Sequence, residues 1–462
     1  MIHRLITFEA DNEARTLPPV LFWSVVSLLL FLYFELPNQV WFLSLLGGYL
    51  IKIWVPPLLL FLFVFIMKFK SGKPLFEVNL LNASLFFYCL FGLLAMLWNE
   101  SSLYLAVKYY LIMVAPVWCY YAVYECFRDN RDIVRMLHIL LLCTILASLY
   151  TGYLGWLDVH SPESILREIR TSQGNIVGIG GVAYYAEKGT IEYSRGFSVY
   201  EHGKYCAFLS FFIFFNALYY FKSEKRWRYP YLTISVFFLY QIIHSLARVG
   251  IVSFLAGYVV LLFSLYRYRE ADRRKLLFFS LGSGVVFLAI VVSNFIVVRR
   301  FLQLLNVLDI GVLNQYLDTY GVYSFSSAQF EDPHIQSSTE SIKTSLAQPW
   351  LGQGFSFAEY ALREHNRYLF ILVSAGVLTL VPYAVFFIGQ AAQAISRVNF
   401  FFPAKTGEIN YGYFFAACTI MYLVKMLNQA GETFYYWIVF ALSSAWIRNN
   451  RLKNGIEAKS GT

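Results

Sequence analysis

Long apolar runs alternate with short polar connections along almost the whole chain. A helix needs roughly 20 apolar residues to cross the ~30 Å hydrocarbon core of a bilayer. About twelve runs approach that length: 19–36, 48–67, 77–97, 103–127, 133–155, 202–221, 230–246, 249–266, 277–298, 368–394, 410–428 and 434–447. The stretches 277–298 and 368–391 contain no Asp, Glu, Lys or Arg. The second run carries Pro56-Pro57 and the last is short, so these two are the least regular. The pattern predicts an all-α polytopic membrane protein of about 12 transmembrane helices, a single integral membrane domain over residues 1–462.

The polar connections divide by charge. Lys68, Lys70 and Lys73 lie in one connection and Arg128, Arg131 and Arg135 in another. Lys222, Lys225, Arg226 and Arg228 follow, then Arg267, Arg269, Arg273, Arg274 and Lys275, and finally Arg448, Arg451 and Lys453. These are alternate connections, so the bias of basic residues toward the cytoplasm puts all five, and both termini, on that side. The opposite, periplasmic face then receives two long segments, 156–201 and 299–367. The first is rich in glycine; the second is rich in serine, with periodic stretches that predict short helices.

Composition sharpens this reading. The chain is 58% hydrophobic, 19% aromatic and only 14% charged, too little charge to cover a water-soluble particle of 462 residues. Residues 1–18 are polar, and the first apolar run lacks a small-residue cleavage site, so the expectation is an anchor rather than a removed signal. The six cysteines all fall in apolar runs without metal-ligand spacing and read as small buried hydrophobes. No cofactor, no metal site and no nucleic-acid partner is indicated; the bilayer lipids are the expected surroundings.

Candidate chemistry gathers on the periplasmic side. Lys52, Lys108, Arg195, Lys204, Arg248, Arg299, Arg300 and Lys425 fall near that side, against the charge bias. Lysines there commonly snorkel to the interface. Arg248, in the short turn Ser245-Leu246-Ala247-Arg248-Val249-Gly250, and the pair Arg299-Arg300 point instead to an anion site, because guanidinium forks bind phosphate oxygens bidentately. A lipid phosphate or diphosphate is the anion expected at that depth, whether as substrate or as a plain head group. His365 sits between Pro349-Trp350-Leu351-Gly352-Gln353-Gly354 and an apolar run, beside Arg363, Glu364 and Arg367. A neutral imidazole there can take a proton from a hydroxyl near neutral pH. Glu331-Asp332 reads as a solvated turn before Pro333 rather than as metal ligands. Tyr184, Tyr185, Tyr193, Tyr316, Tyr320 and Tyr323 are placed either to touch glycan or simply to pack.

The elements Pro349-Trp350-Leu351-Gly352-x-Gly354, His365-Asn366-x-Tyr368-Leu369 and Ser374-Ala375-Gly376-Val377 resemble the signature of the O-antigen ligase and O-antigen polymerase family. His365 and Gly376 match its H-x10-G spacing, Arg300-x3-Leu304 is similar to its R-x3-L element, and Ser245-x-Ala247-Arg248-x-Gly250 to its arginine turn. Together these cover roughly residues 195–390. The resemblance implies a C-type glycosyltransferase-like membrane fold in the bacterial inner membrane and metal-independent, inverting glycosyl transfer at the periplasmic face. The donor would be a glycan on undecaprenyl diphosphate, the acceptor another glycan or a lipid-core sugar. The product would be O-antigen (and so lipopolysaccharide), capsule or exopolysaccharide, made alongside other polysaccharide assembly proteins. His365 would be the base, with Arg248 and Arg300 holding the diphosphate. Arg195, Lys204, Arg299 and Arg367 are added as substrate-binding candidates from position alone.

A transporter or flippase of lipid-linked sugars is the alternative. It would also present cations to a lipid diphosphate, but it calls for polar or broken-helix features near the bilayer midplane. The apolar runs show few polar residues there.

Overall fold

The computed structural model describes residues 19–33, 55–72, 77, 79–98, 103–160, 175–177, 183–187, 190–194, 202–222, 225–244, 248–267, 273–293, 342–355, 366–396, 410–427 and 434–460. Within the described residues, each of the twelve apolar runs overlaps a helix. They are α1 (Pro19–Tyr33), α2 (Val55–Lys70), α3 (Leu80–Leu97), α4 (Leu103–Cys126), α5 (Asn130–His160), α6 (His202–Lys222), α7 (Lys225–His244), α8 (Arg248–Arg267), α9 (Arg273–Val292), α10 (Arg367–Ser396), α11 (Gly412–Met426) and α12 (Phe434–Ser460). Among the described residues, five helical stretches are long and apolar enough to cross a membrane: Leu80–Leu97, Leu103–Cys126, Val249–Arg267, Arg273–Val292 and Arg367–Ala394. Shorter apolar stretches lie at Cys206–Phe221, Tyr229–Ile243 and Gly412–Met426.

The surface agrees with a lipid environment. On α9, Leu277, Phe278, Leu281, Val285, Leu288 and Val292 are all exposed, directly after the exposed Arg273, Arg274 and Lys275. Water would penalise such a contiguous apolar face, whereas hydrocarbon is its natural solvent. The protein is a helical membrane protein.

Among the described residues, one set of strands interrupts the helical pattern. In the first long segment, β1 (Asn175–Val177), β2 (Ala183–Glu187) and β3 (Thr190–Ser194) form an antiparallel meander in the order β1-β2-β3. Glu187 pairs with Thr190, and a bulge falls between Tyr185 and Ala186.

The chain divides into two compact units. The first comprises residues 1–140, 336–405 and 418–462. Here α3 packs along α10, α4 lies between α2 and α12, and α1 rests on α12. Its core is aromatic: Trp437 stacks on Phe386 (5.4 Å between centroids) and meets Phe387 and Tyr120 edge-on. The Tyr383 and Tyr422 hydroxyls hydrogen-bond at 2.9 Å. The second unit comprises residues 141–335 and 406–417. There α6 packs against α7 and α8, and α9 against α7 and α8. Phe212 meets Phe238 at 4.8 Å and Phe214 stacks on Phe254 at 5.7 Å. Ser148 donates to Gln241 Oε1 at 2.6 Å inside this unit, so these two buried polar side chains satisfy one another.

Within the first unit, three basic connections meet at one end. Lys68 pairs with Glu125 at 2.9 Å, and Arg128 pairs with the same carboxylate at 2.9 Å. Arg448 lies over the Tyr124 ring at 4.2 Å and donates to the Phe127 carbonyl at 3.0 Å. Tyr124 donates to Glu77. Alternate connections therefore share one face of this unit, as the charge pattern requires.

Candidate functional site

The site is built where residues 342–355 dock onto α10. A short helix at 342–347 leads into a turn in which Gly352 N–H donates to the Gln348 carbonyl at 3.0 Å. Gly352 and Gly354 have φ of 71° and 89°, the left-handed region that disfavours any side chain. Halfway down the first half of α10, Gly376 is also left-handed (φ 74°, ψ −179°), and the helix breaks there.

The two irregular stretches satisfy one another. Gln353 N–H donates to the Val373 carbonyl at 2.7 Å. Val377 N–H donates to the Pro349 carbonyl at 2.8 Å and Leu378 N–H to the Trp350 carbonyl at 3.3 Å. Such exchange is what membrane-depth backbone requires, since hydrocarbon offers no partner for a freed N–H or C=O. The backbones are in contact: a Cβ on Gly352 would fall 2.6 Å from Ala375 N and from Val373 O, and one on Gly376 would fall 2.2 Å from Trp350 O. The Pro-Trp-Leu-Gly and Ser-Ala-Gly elements are therefore two halves of one backbone clasp.

The clasp fixes both flanks of the segment that carries His365. On one side, Gln353 Nε2 donates to the Thr344 carbonyl at 2.9 Å, and Phe355 is fully buried, edge-on to Tyr110 at 6.3 Å. On the other, Asn366 caps α10: its Oδ1 accepts from Tyr368 N–H at 2.9 Å and Leu369 N–H at 3.2 Å. Tyr110 and Glu125 are both on α4, so the clasp lies about 22 Å along that helix from the basic end of the unit.

Of the sequence-derived candidates, Arg367 is described in full. It is the first residue of α10, is 3% exposed, and its guanidinium lies over the Phe370 ring at 4.7 Å. That stacking holds the start of α10 and leaves little of the side chain open to a substrate. Arg248 is the first residue of α8 and Lys204 lies in the first turn of α6; their side chains lie outside the described residues, as do His365, Arg195, Arg299 and Arg300. Glu331 and Asp332 also lie outside them.

Several features escaped the sequence pattern. Lys425, grouped there with outer-side cations, is 1% exposed rather than snorkelling. Its ammonium donates to the Tyr435 hydroxyl and lies 5.0 and 5.1 Å from the Tyr435 and Tyr436 ring centres. Gln390 donates to Ser444 Oγ at 2.6 Å and to the Tyr120 hydroxyl at 3.3 Å, closing a polar knot inside the first unit. The hydroxyls of Ser374 and Thr379, flanking the break at Gly376, are buried without a hydrogen-bond partner among the described residues. Only the Tyr-Tyr dipeptide after Glu432 hinted at the lysine's aromatic surroundings. No known protein family matches the chain, and no curated protein is similar enough in sequence to match it.

Proposed function

We propose that the protein transfers a glycan from undecaprenyl diphosphate to an acceptor hydroxyl at the membrane face where α10 begins, taken as the periplasmic face of the bacterial inner membrane. The acceptor is a growing glycan or a lipid-core sugar, the action of a polymerase or a ligase respectively. The observation that supports this most is the backbone clasp. It joins Gly352 to Gly376 and so gives the spacing around His365 a physical reason. The His365 segment is strung between Phe355, sealed against Tyr110, and Asn366, the cap of α10.

In this reading His365 accepts the proton of the acceptor hydroxyl as its oxygen attacks the anomeric carbon. The bond from that carbon to the diphosphate oxygen breaks on the opposite face, inverting the centre and releasing undecaprenyl diphosphate. Negative charge grows on the leaving oxygens, and the Arg248 and Arg300 guanidinium groups stabilise it more in the transition state than in the ground state. Arg195, Lys204 and Arg299 supply further positive charge to the carrier. Arg367, stacked on Phe370, braces the start of α10.

The test is reconstitution with purified undecaprenyl-diphosphate-linked repeat unit, with and without a lipid-core acceptor. Laddered products mean a polymerase, and a single acceptor-dependent product means a ligase. His365→Ala is expected to abolish either product while leaving membrane insertion intact; full glycan output from that variant would overturn the reading.

A second reading, transport of lipid-linked sugars, draws support from the helix break at Gly376 and from the Gln390–Ser444–Tyr120 knot closed within a spanning unit. It predicts movement of the carrier across a vesicle bilayer with no new glycosidic bond.

A further inference from the structure

The segment 342–355 exposes three large apolar side chains, Ile342 and Leu346 one turn apart on the short helix 342–347 and Trp350 in the turn that follows it. Ile342, Leu346 and Trp350 are 45%, 70% and 66% exposed, whereas Ser345 between them is buried. The charge pattern alone assigns this stretch to an aqueous loop, where such exposure is unfavourable. Its docking site says otherwise. α10 breaks at Gly376, and the part beyond the break, 377–396, has 20 residues, about 30 Å, no longer than the ~30 Å hydrocarbon core. Val377 and Leu378, which bond to Pro349 and Trp350, open that part. Where it spans the bilayer, the clasp therefore lies at the edge of the hydrocarbon rather than out in water. Val381 and Ile388, further along α10, are 53% and 63% exposed and continue the apolar surface into the bilayer span.

We propose that Ile342, Leu346 and Trp350 form a membrane-inserted ridge that contacts the acyl chains of the bilayer, making 342–355 a re-entrant element rather than a water-exposed loop. Its backbone tolerates that depth because the clasp pairs it with α10. A tryptophan at the rim of the hydrocarbon is the residue type that interface favours. The inference does not depend on glycan transfer.

The test is photo-crosslinking in native membranes, with benzoylphenylalanine replacing Leu346 or, separately, Ile342, and with Lys343 as the control on another face of the short helix. Phospholipid adducts are expected from Leu346 and Ile342, several-fold above those from Lys343. In parallel, Leu346→Cys should react several-fold more slowly than Lys343→Cys with a membrane-impermeant maleimide, against the parent chain as background. All replaced side chains are exposed, so the fold is undisturbed. Adducts at the Lys343 level, adducts confined to the polyprenyl carrier, a crosslinked pair of chains, or equal maleimide rates would each overturn the proposal. The same adducts in the His365→Ala background separate this result from the fate of the catalytic reading.

Discussion

A methyl group on residue 376 would stand 2.2 Å from the Trp350 oxygen and 2.3 Å from its carbonyl carbon. Both are backbone atoms, so no side chain can swing away to make room, and the φ of 74° adds a backbone penalty. Gly72 isolates that penalty: its φ is 65°, but nothing lies within 4 Å of its would-be Cβ. Gly72→Ala is therefore expected to cost about 1–2 kcal/mol, the left-handed term alone. Gly376→Ala should cost several kcal/mol more, because backbone overlap is added to the same strain. Thermal unfolding of the two variants in detergent checks the difference, and equal midpoints would mean that the clasp is looser than its geometry indicates. Sequence pattern reveals glycine at 376 but not this pressure on it, because the atoms that forbid a side chain come from residues far back along the chain.

The elements were legible to the extent that length and apolarity decide them. Within the described residues, every apolar run overlaps a helix, since an α-helix is the simplest way to satisfy backbone groups within hydrocarbon. The break in α10 was not legible, as Ser374-Ala375-Gly376-Val377 reads as ordinary membrane helix until another backbone supplies replacement hydrogen bonds. The meander β1–β3 was missed for a related reason: its strands are short and its register depends on pairing across turns rather than on apolar length. Lys425 misled because its position at a helix end implies snorkelling, whereas tyrosines from the next helix enclose it. Helix-to-helix ion pairing gives the prediction that belongs here. Glu125 on α4 is 3% exposed and holds Lys68 of α2, itself 10% exposed. Glu125→Gln strands the Lys68 ammonium in a poorly solvated place and should cost about 3 kcal/mol, whereas Lys68→Met/Glu125→Leu, removing both charges, should regain most of it. Denaturation of the three proteins decides; a double variant as unstable as the single would show that Arg128, which pairs with the same carboxylate, also depends on it.

For the whole molecule, the question is which way it faces. Lys68, Arg128 and Arg448 come from three separate connections, yet all lie around Glu125 and Tyr124 at one end of the first unit. The clasp at Gly352 and Gly376 lies about 22 Å away along α4, so the basic end and the His365 end belong to opposite faces of that unit. Charge bias during insertion retains basic connections in the cytoplasm. On the proposed reading, the C-terminal end of α12, which runs on past Arg448, faces the cytoplasm and the start of α10 opens to the periplasm. A fluorescent protein fused after Thr462 should therefore be bright and a phosphatase fused there inactive, whereas a cysteine at Lys343 should react with an impermeant maleimide in intact, outer-membrane-permeabilised cells. The opposite pattern would place His365 in the cytosol. A base there would meet nucleotide-activated sugars before any translocated lipid-linked glycan, and the proposed transfer would lose its donor. Because α4 runs between the two ends within one unit, a single fusion result bears on both, and the orientation can be tested before any substrate is purified.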